Sequence, residues 1–192
     1  MAHVPHLSNS DWIRAAVAAL GERAIPDSAA ALESLRDRLV PLAFRDDRPR
    51  IENFAGDGDS GRFRRHPLPI ASGCSALVMY WPAGYATLPH DHAGLAGIEL
   101  VIDGALQVDE FVRVGDGAQL ALARSLYLGI GDAAVFAGDA YIHRCRNLST
   151  TRAALSLHVY GGALDAYQAF LVDTAGRYRA RAETARSDAP LG

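Results

Sequence analysis

The chain has 192 residues, 49% of them hydrophobic, 8% aromatic and 21% charged, which excludes wholesale disorder, collagen and coiled coil. A chain of this length buries a sizeable core without disulfides or a structural metal. The formal net charge is −3 and all 19 basic residues are Arg, a balance that argues against a dedicated nucleic-acid or anionic-membrane binder.

The N-terminal third reads as helical. Ser10 or Asn9 caps a helix through Trp12, Ile13, Val17 and Leu20, with Gly21 as its stop. Pro26-Asp27-Ser28 opens a second helix, whose Leu32, Leu35, Leu39 and Leu42 fall near helical spacing and form a core stripe. Residues 45–61 are polar and turn-rich, and read as a loop or linker. From residue 62 the texture changes to short apolar runs between Gly, Pro and Asp clusters. Ser75–Trp81, Gly97–Ile102, Leu106–Val112, Ala133–Ala137 and Ala154–Tyr160 read as strands, and so many short strands predict an all-β barrel or sandwich. Residues 163–181 suit either a helix or an edge strand, and 182–192 are expected to fray. The expected organisation is a helical segment with linker over 1–61, a barrel over 62–181 and a tail.

Cys74 and Cys145 lie far apart and form neither a Cys-x-x-Cys pair nor a disulfide framework. The first ten residues carry no secretory leader, and no run approaches roughly 18 apolar residues, so no membrane span is expected. A reducing cytoplasm is the expected compartment.

Of seven histidines, His3 and His6 sit near the N-terminus and His66 opens the β region. His90-Asp91-His92 is more informative. On an extended segment residues two apart point to one side, so both imidazoles can reach one metal ion. By itself such a pair is weak, since many bind nothing. Downstream, Ile142-His143-Arg144-Cys145-Arg146-Asn147 supplies a third His on a strand-like stretch. In this context Cys145 reads as a small buried hydrophobe rather than a ligand.

Gly84, His90, His92, Gly104, His143 and Asn147 together resemble the two motif blocks of the cupin superfamily, small jelly-roll β-barrels that hold a metal. The acidic residue usual in the first block is missing from its slot near Ala96 or Gly97, and Glu99 comes two or three residues late. The protein ligands are then three neutral histidines, unless a bulge re-aims Glu99. Imidazole suits Zn, Cu, Fe and Ni alike. Three protein ligands leave coordination positions open, as a catalytic metal requires.

Ser156, His158 and Tyr160 also lie two apart, so on a strand they share one face, with Leu155, Leu157 and Val159 on the other. The plainer reading is an ordinary strand with its polar face in solvent. With the three histidines, however, the pattern resembles the cysteine dioxygenase family of thiol dioxygenases over about residues 62–170. The resemblance implies one Fe(2+) per chain held by His90, His92 and His143, and O2 addition to a small thiol, giving a sulfinic acid. It also implies catalytic roles for Tyr160, His158 and Ser156. The family's aromatic-x-Arg element, which holds the substrate carboxylate, corresponds to Phe63-Arg64-Arg65; the pattern selects Arg65 and the ungapped spacing to Trp81 selects Arg64. The position of the animal enzymes' crosslinking Cys is Gly97, so no thioether is expected. Relatives that act on 3-mercaptopropionate carry an Arg after the Tyr-Gly-Gly turn; residues 161–170 here contain none, which leans toward L-cysteine. The alternatives are another thiol, a cupin isomerase or hydrolase using Zn, Mn or Ni, and a non-enzymatic binding cupin. The physiological thiol, the role of Glu99, the oligomeric state and the role of the helices stay open.

Overall fold

The computed structural model describes residues 11–21, 25, 28–54, 61–70, 73–115 and 119–191. Two helices, α1 (Asp11–Leu20) and α2 (Ala29–Leu39), precede ten strands. These are β1 (Arg64–Pro67), β2 (Ser75–Trp81), β3 (Gly97–Asp103), β4 (Leu106–Val114), β5 (Gln119–Leu128), β6 (Ala133–Phe136), β7 (Ile142–Arg146), β8 (Ala154–Tyr160), β9 (Ala166–Val172) and β10 (Tyr178–Thr184). All ladders are antiparallel. The strand orders are β1-β2-β8-β3-β6, β5-β4-β7 and β10-β9. Non-consecutive neighbours in two facing antiparallel sheets make the predicted jelly-roll type of architecture.

The helices form where the periodicity places them. Gly21 ends α1 in the left-handed region (φ 71°), and its N–H donates to Val17 O at 3.1 Å. The expected caps Asn9 and Ser10 and the opening Pro26-Asp27 lie outside the described residues. α2 ends at Leu39, and Leu42 is buried from a following 3-10 turn, Val40–Phe44. The polar linker hides one core residue. Ile51–Phe54 is a 3-10 turn, and Phe54 is fully buried against His66 (ring centroids 5.3 Å) and Tyr80 (6.2 Å).

The five-stranded sheet is covered on both faces. One face carries Val78, Tyr80, Ile98, Leu100, Leu155, Leu157 and Val159 and packs on Trp12, Leu32, Leu35, Leu39 and Phe54. The other carries Leu77, Met79, Trp81, Val101 and Tyr160 and meets Val108, Leu128 and Cys145 of the three-stranded sheet. Double coverage is why β3 and β8 are buried at every position and read as near-continuous apolar runs.

Of the two forms open for residues 163–181, the structure takes strand: β9 and β10 form a hairpin in full register from Val172↔Tyr178 to Ala166↔Thr184. Contrary to the expected fraying of 182–192, residues 182–191 are engaged, and Gly192 lies outside the described residues. Ala182–Thr184 complete β10, Asp188 N–H donates to Arg65 O (2.8 Å), Leu191 N–H donates to Pro67 O (3.0 Å), and Leu191 is buried. The tail thereby satisfies backbone groups that β1, an edge strand, would otherwise leave open. β1 and β5 were not anticipated. β1 is four residues of mostly polar sequence, and β5 carries only one fully buried residue, Leu128.

Candidate metal centre

The chain between β2 and β3 carries the first two histidines. His90 sits in isolated bridges outside the ten strands, and the chain turns directly after His92. His90 N–H donates to His143 O (2.8 Å) and His143 N–H to His90 O (3.0 Å), so this segment is stitched to β7. Asp91, between the two histidines, accepts from Gln168 N–H (2.9 Å) and Ala93 N–H (3.3 Å), which anchors the segment to β9 and sets the turn.

The three imidazoles converge. One nitrogen of each of His90, His92 and His143 lies within 4.8 Å of the others. His143 Nε2 and His92 Nε2 are 3.1 Å apart. Adjacent ligands on one ion, each about 2.1 Å away at right angles, would stand about 3.0 Å apart. His90 Nδ1 is 2.9 Å from Leu88 O, an arrangement that leaves its Nε2 free to coordinate. His143 Nδ1 is turned to Cys145 Sγ at 3.6 Å. The donor set therefore fits a divalent first-row metal.

Burial holds these imidazoles neutral. The pKa of His90 is lowered; those of His92 and His143 are driven well down by desolvation and by the neighbouring histidines. Neutral imidazole is the form that binds metal. His158 is held down to about 3 by burial and then by Arg65.

β8 presents Ser156, His158 and Tyr160 to the same interior, while Leu155, Leu157 and Val159 face the helical layer. His158 Nδ1 is 3.1 Å from the Tyr160 hydroxyl. Ser156 Oγ accepts from Trp81 Nε1 at 2.7 Å, and His158 Nε2 is buried without a hydrogen-bond partner. Burial pushes the Tyr160 phenol well up, so it is a neutral donor.

A cavity of about 610 Å³ opens over this group. Its lining includes His90, His143, His158, Tyr160, Glu99, Arg65, Tyr85 and Tyr167. Adjacent β1 residues point to opposite faces. Arg65 pairs in register with Met79 and faces the cavity, its Nε buried without a hydrogen-bond partner. Arg64 is on the other face, its guanidinium 5.0 Å from the Tyr80 ring centroid.

A family model for cysteine dioxygenase type I matches residues 40–172. The chain belongs to that family. Solved structures also resemble it. TT1209 from Thermus thermophilus is 20% identical, with 59% of this chain and 95% of that one covered and a TM-score of 0.44. A conserved protein with a double-stranded β-helix domain from Klebsiella pneumoniae subsp. pneumoniae MGH 78578 is 15% identical (60% and 90% covered, TM-score 0.45). A cupin superfamily protein from Desulfitobacterium hafniense DCB-2 is 11% identical (62% and 94% covered, TM-score 0.43).

Within this member of the cysteine dioxygenase type I family, Gly97 is a point of close approach. A Cβ there would stand 2.4 Å from Val159 O and 2.5 Å from Phe136 Cζ. The Phe136 ring fills the space and packs on His92 (centroids 4.4 Å) and Tyr141 (4.9 Å). Glu99, two residues on, falls on the same inner face by simple alternation. The β3–β8 irregularity lies later, between Val101 and Asp103, so no bulge re-aims Glu99. Its carboxylate lies 3.3 Å from His143 Nε2 and 3.4 Å from His158 Nδ1, and accepts from Cys145 Sγ at 3.4 Å. Burial raises its pKa to about 8. The sequence reading missed Tyr85 and Tyr167. Period-two reading of Ala166–Val172 as a strand is the signal that would have found Tyr167.

Proposed function

We propose that this protein is an Fe(II)-dependent thiol dioxygenase whose preferred substrate is L-cysteine. The reaction adds both atoms of O2 to the thiol sulfur, RSH + O2 giving RSO2H, one step beyond sulfenic acid on the thiol oxidation ladder. The observation that carries this reading is one cavity lined by histidines of a convergent trio, by the His158–Tyr160 pair and by Arg65, in a chain of the cysteine dioxygenase type I family.

In this reading His90, His92 and His143 hold the iron. Bound there, the ion supplies the open coordination positions and the redox capacity that allow O2 to react with a thiolate. Arg65 reaches into the cavity with an unpartnered buried Nε and binds the substrate carboxylate by its planar fork. That contact fixes the sulfur beside the trio, so orientation contributes much of the rate. Tyr160 donates its phenolic proton in a hydrogen bond to the charge that develops on the reacting group. His158 orients the phenol from 3.1 Å, and Ser156, tied to Trp81, packs behind the pair.

The test is O2 consumption by the Fe(II)-loaded protein with L-cysteine, cysteamine and 3-mercaptopropionate, with product mass read in parallel. Stoichiometric uptake and a gain of about 32 daltons, two oxygen atoms, on L-cysteine is expected. Absence of uptake with every thiol, at full iron loading, overturns the reading and returns the chain to the other metal-dependent or binding cupins.

A further inference from the structure

β1 is a four-residue edge strand with β2 on one side only. In an antiparallel ladder one residue sends both its backbone groups to one neighbour, and the next residue sends its pair to the other side. Arg65 sends both of its groups to the C-terminal tail. Its N–H donates to Asp188 Oδ2 at 2.9 Å, and its C=O accepts from Asp188 N–H at 2.8 Å. Asp188 Oδ1 accepts from Arg62 Nη2 at 3.0 Å, so both carboxylate oxygens are engaged. One tail residue thus closes a ring of hydrogen bonds on the Arg65 backbone. The tail is itself fixed on either side of Asp188. Ala185 N–H donates to Asp165 O at 2.8 Å, and Leu191, buried among the residues that pack on the helices, donates to Pro67 O at 3.0 Å. Between them Ala189 O lies 2.9 Å from His66 Nδ1.

Upstream the tail continues β10, and its partner β9 is bonded to the segment of the first two histidines. Asp91 N–H donates to Gln168 O at 3.0 Å, and Phe170 N–H donates to Pro89 O at 2.8 Å. One hairpin and its tail therefore join the segment of His90 and His92 to the strand of Arg65. We propose that Asp188 is a positioning residue that locks the Arg65 backbone and so sets the span between the guanidinium and the histidine trio. That span selects thiols whose carboxylate stands at the matching distance from sulfur. The inference rests on the thiol dioxygenase reading, with Arg65 as the carboxylate clamp. A side chain as long as Arg magnifies a small backbone shift at its tip, and a misplacement of about 1 Å is enough to cost about a hundredfold in rate. A short edge strand without its outer partner is where such shifts arise. Asp188 reaches the backbone of Arg65, and its role is to hold the clamp rather than to bind substrate.

The experiment uses the full chain loaded with Co(II) in place of iron. L-Cysteine, 3-mercaptopropionate and cysteamine are titrated anaerobically, and affinity is read from the cobalt electronic spectrum. Asp188→Ala is expected to weaken binding of the two carboxylate-bearing thiols by about tenfold, and to leave cysteamine, which has no carboxylate, within about twofold. Asp188→Asn keeps an oxygen to accept from the Arg65 N–H and should restore most of the loss. In an Arg65→Ala background, Asp188→Ala should bring no further loss, because the side chain it positions is gone. Unchanged affinities overturn the proposal, as does an equal loss for all three thiols, or a loss that persists in full without the Arg65 side chain. Hydrogen exchange of the wild-type protein supplies a readout that needs no variant to fold. Saturating 3-mercaptopropionate should raise protection in residues 62–68 and 185–191 together, and cysteamine in neither. A tail indifferent to the carboxylate overturns the proposal as well. Failure of the dioxygenase reading shows elsewhere, as absent O2 uptake by the wild-type iron protein, whereas these affinities are read without turnover.

Discussion

Two neighbouring arginines show how far one residue's direction governs its role. Arg64 and Arg65 have the same chemistry and adjacent positions, but strand alternation sends one to the Tyr80 ring and the other into the cavity. Arg65→Ala should therefore raise KM for L-cysteine and lower kcat/KM by about ten- to a hundredfold, the worth of a charge-assisted hydrogen bond to a carboxylate. Steady-state kinetics would check this, and little change with cysteamine, which lacks the carboxylate, would accompany it. Arg64→Ala should lower the melting temperature, through lost packing and a cation–π contact of about 0.5–2 kcal/mol, and leave KM for L-cysteine within about twofold, since its side chain lies on the face away from the cavity. A reversed pattern in the two variants would transfer the clamp to Arg64.

At the scale of single elements, β3 is defined by a residue it lacks a side chain for. Gly97 admits Val159 O and the Phe136 ring within 2.5 Å of a would-be Cβ, and that ring already packs on His92 and Tyr141. Gly97→Cys should cost about 1–3 kcal/mol by overpacking. Chemical denaturation should show it as a lower midpoint with an unchanged slope. β2 and β8 were legible to the residue because both their faces are apolar or carry motif residues. So was the common face of Ser156, His158 and Tyr160, since period two is a local property. The hairpin β9–β10 was less legible, because its exposed, polar positions resemble a loop until the partner strand is present. Phe54 was missed for a related reason. One aromatic in a polar, Gly-rich stretch has no periodicity, and only the tertiary fold supplies the His66 and Tyr80 rings that bury it. The choice between Arg64 and Arg65 needed the register of β1 on β2, which no local pattern in that strand contains.

For the molecule as a whole, the burial of so many imidazoles ties stability to pH. His66, His90, His92, His143 and His158 all have pKa values lowered by burial. Below about pH 6.5 the unfolded chain takes up protons at these positions that the folded chain refuses, so stability falls as pH falls. Glu99 acts in the opposite direction. Its raised pKa means the folded chain keeps a proton that the unfolded chain releases above about pH 4.5, which lowers stability as pH rises toward 8. Five groups outweigh one, so the metal-free protein should melt progressively lower from pH 7 to pH 5, with net proton uptake on unfolding measurable by calorimetry. A flat or inverted profile would contradict the neutral, buried state of the histidines. Metal binding to the folded form should raise the melting temperature at pH 7 and lose that effect as acid competes for the imidazoles.

The strand β8 is shared between two layers: its odd-numbered leucines and valine seat the helices, and its alternate residues face the candidate site. The helical layer and the chemistry are thus two readings of one rigid backbone, and neither can relax alone. Heat should accordingly remove both in a single cooperative step. Loss of turnover and loss of the far-ultraviolet helical signal should superimpose on one temperature axis, with no interval in which a loosened helical cap leaves a working centre behind it. A methylene added to or taken from Leu157, a position remote from any substrate, should then register in catalysis as well as in stability, through the placement of His158 beside it.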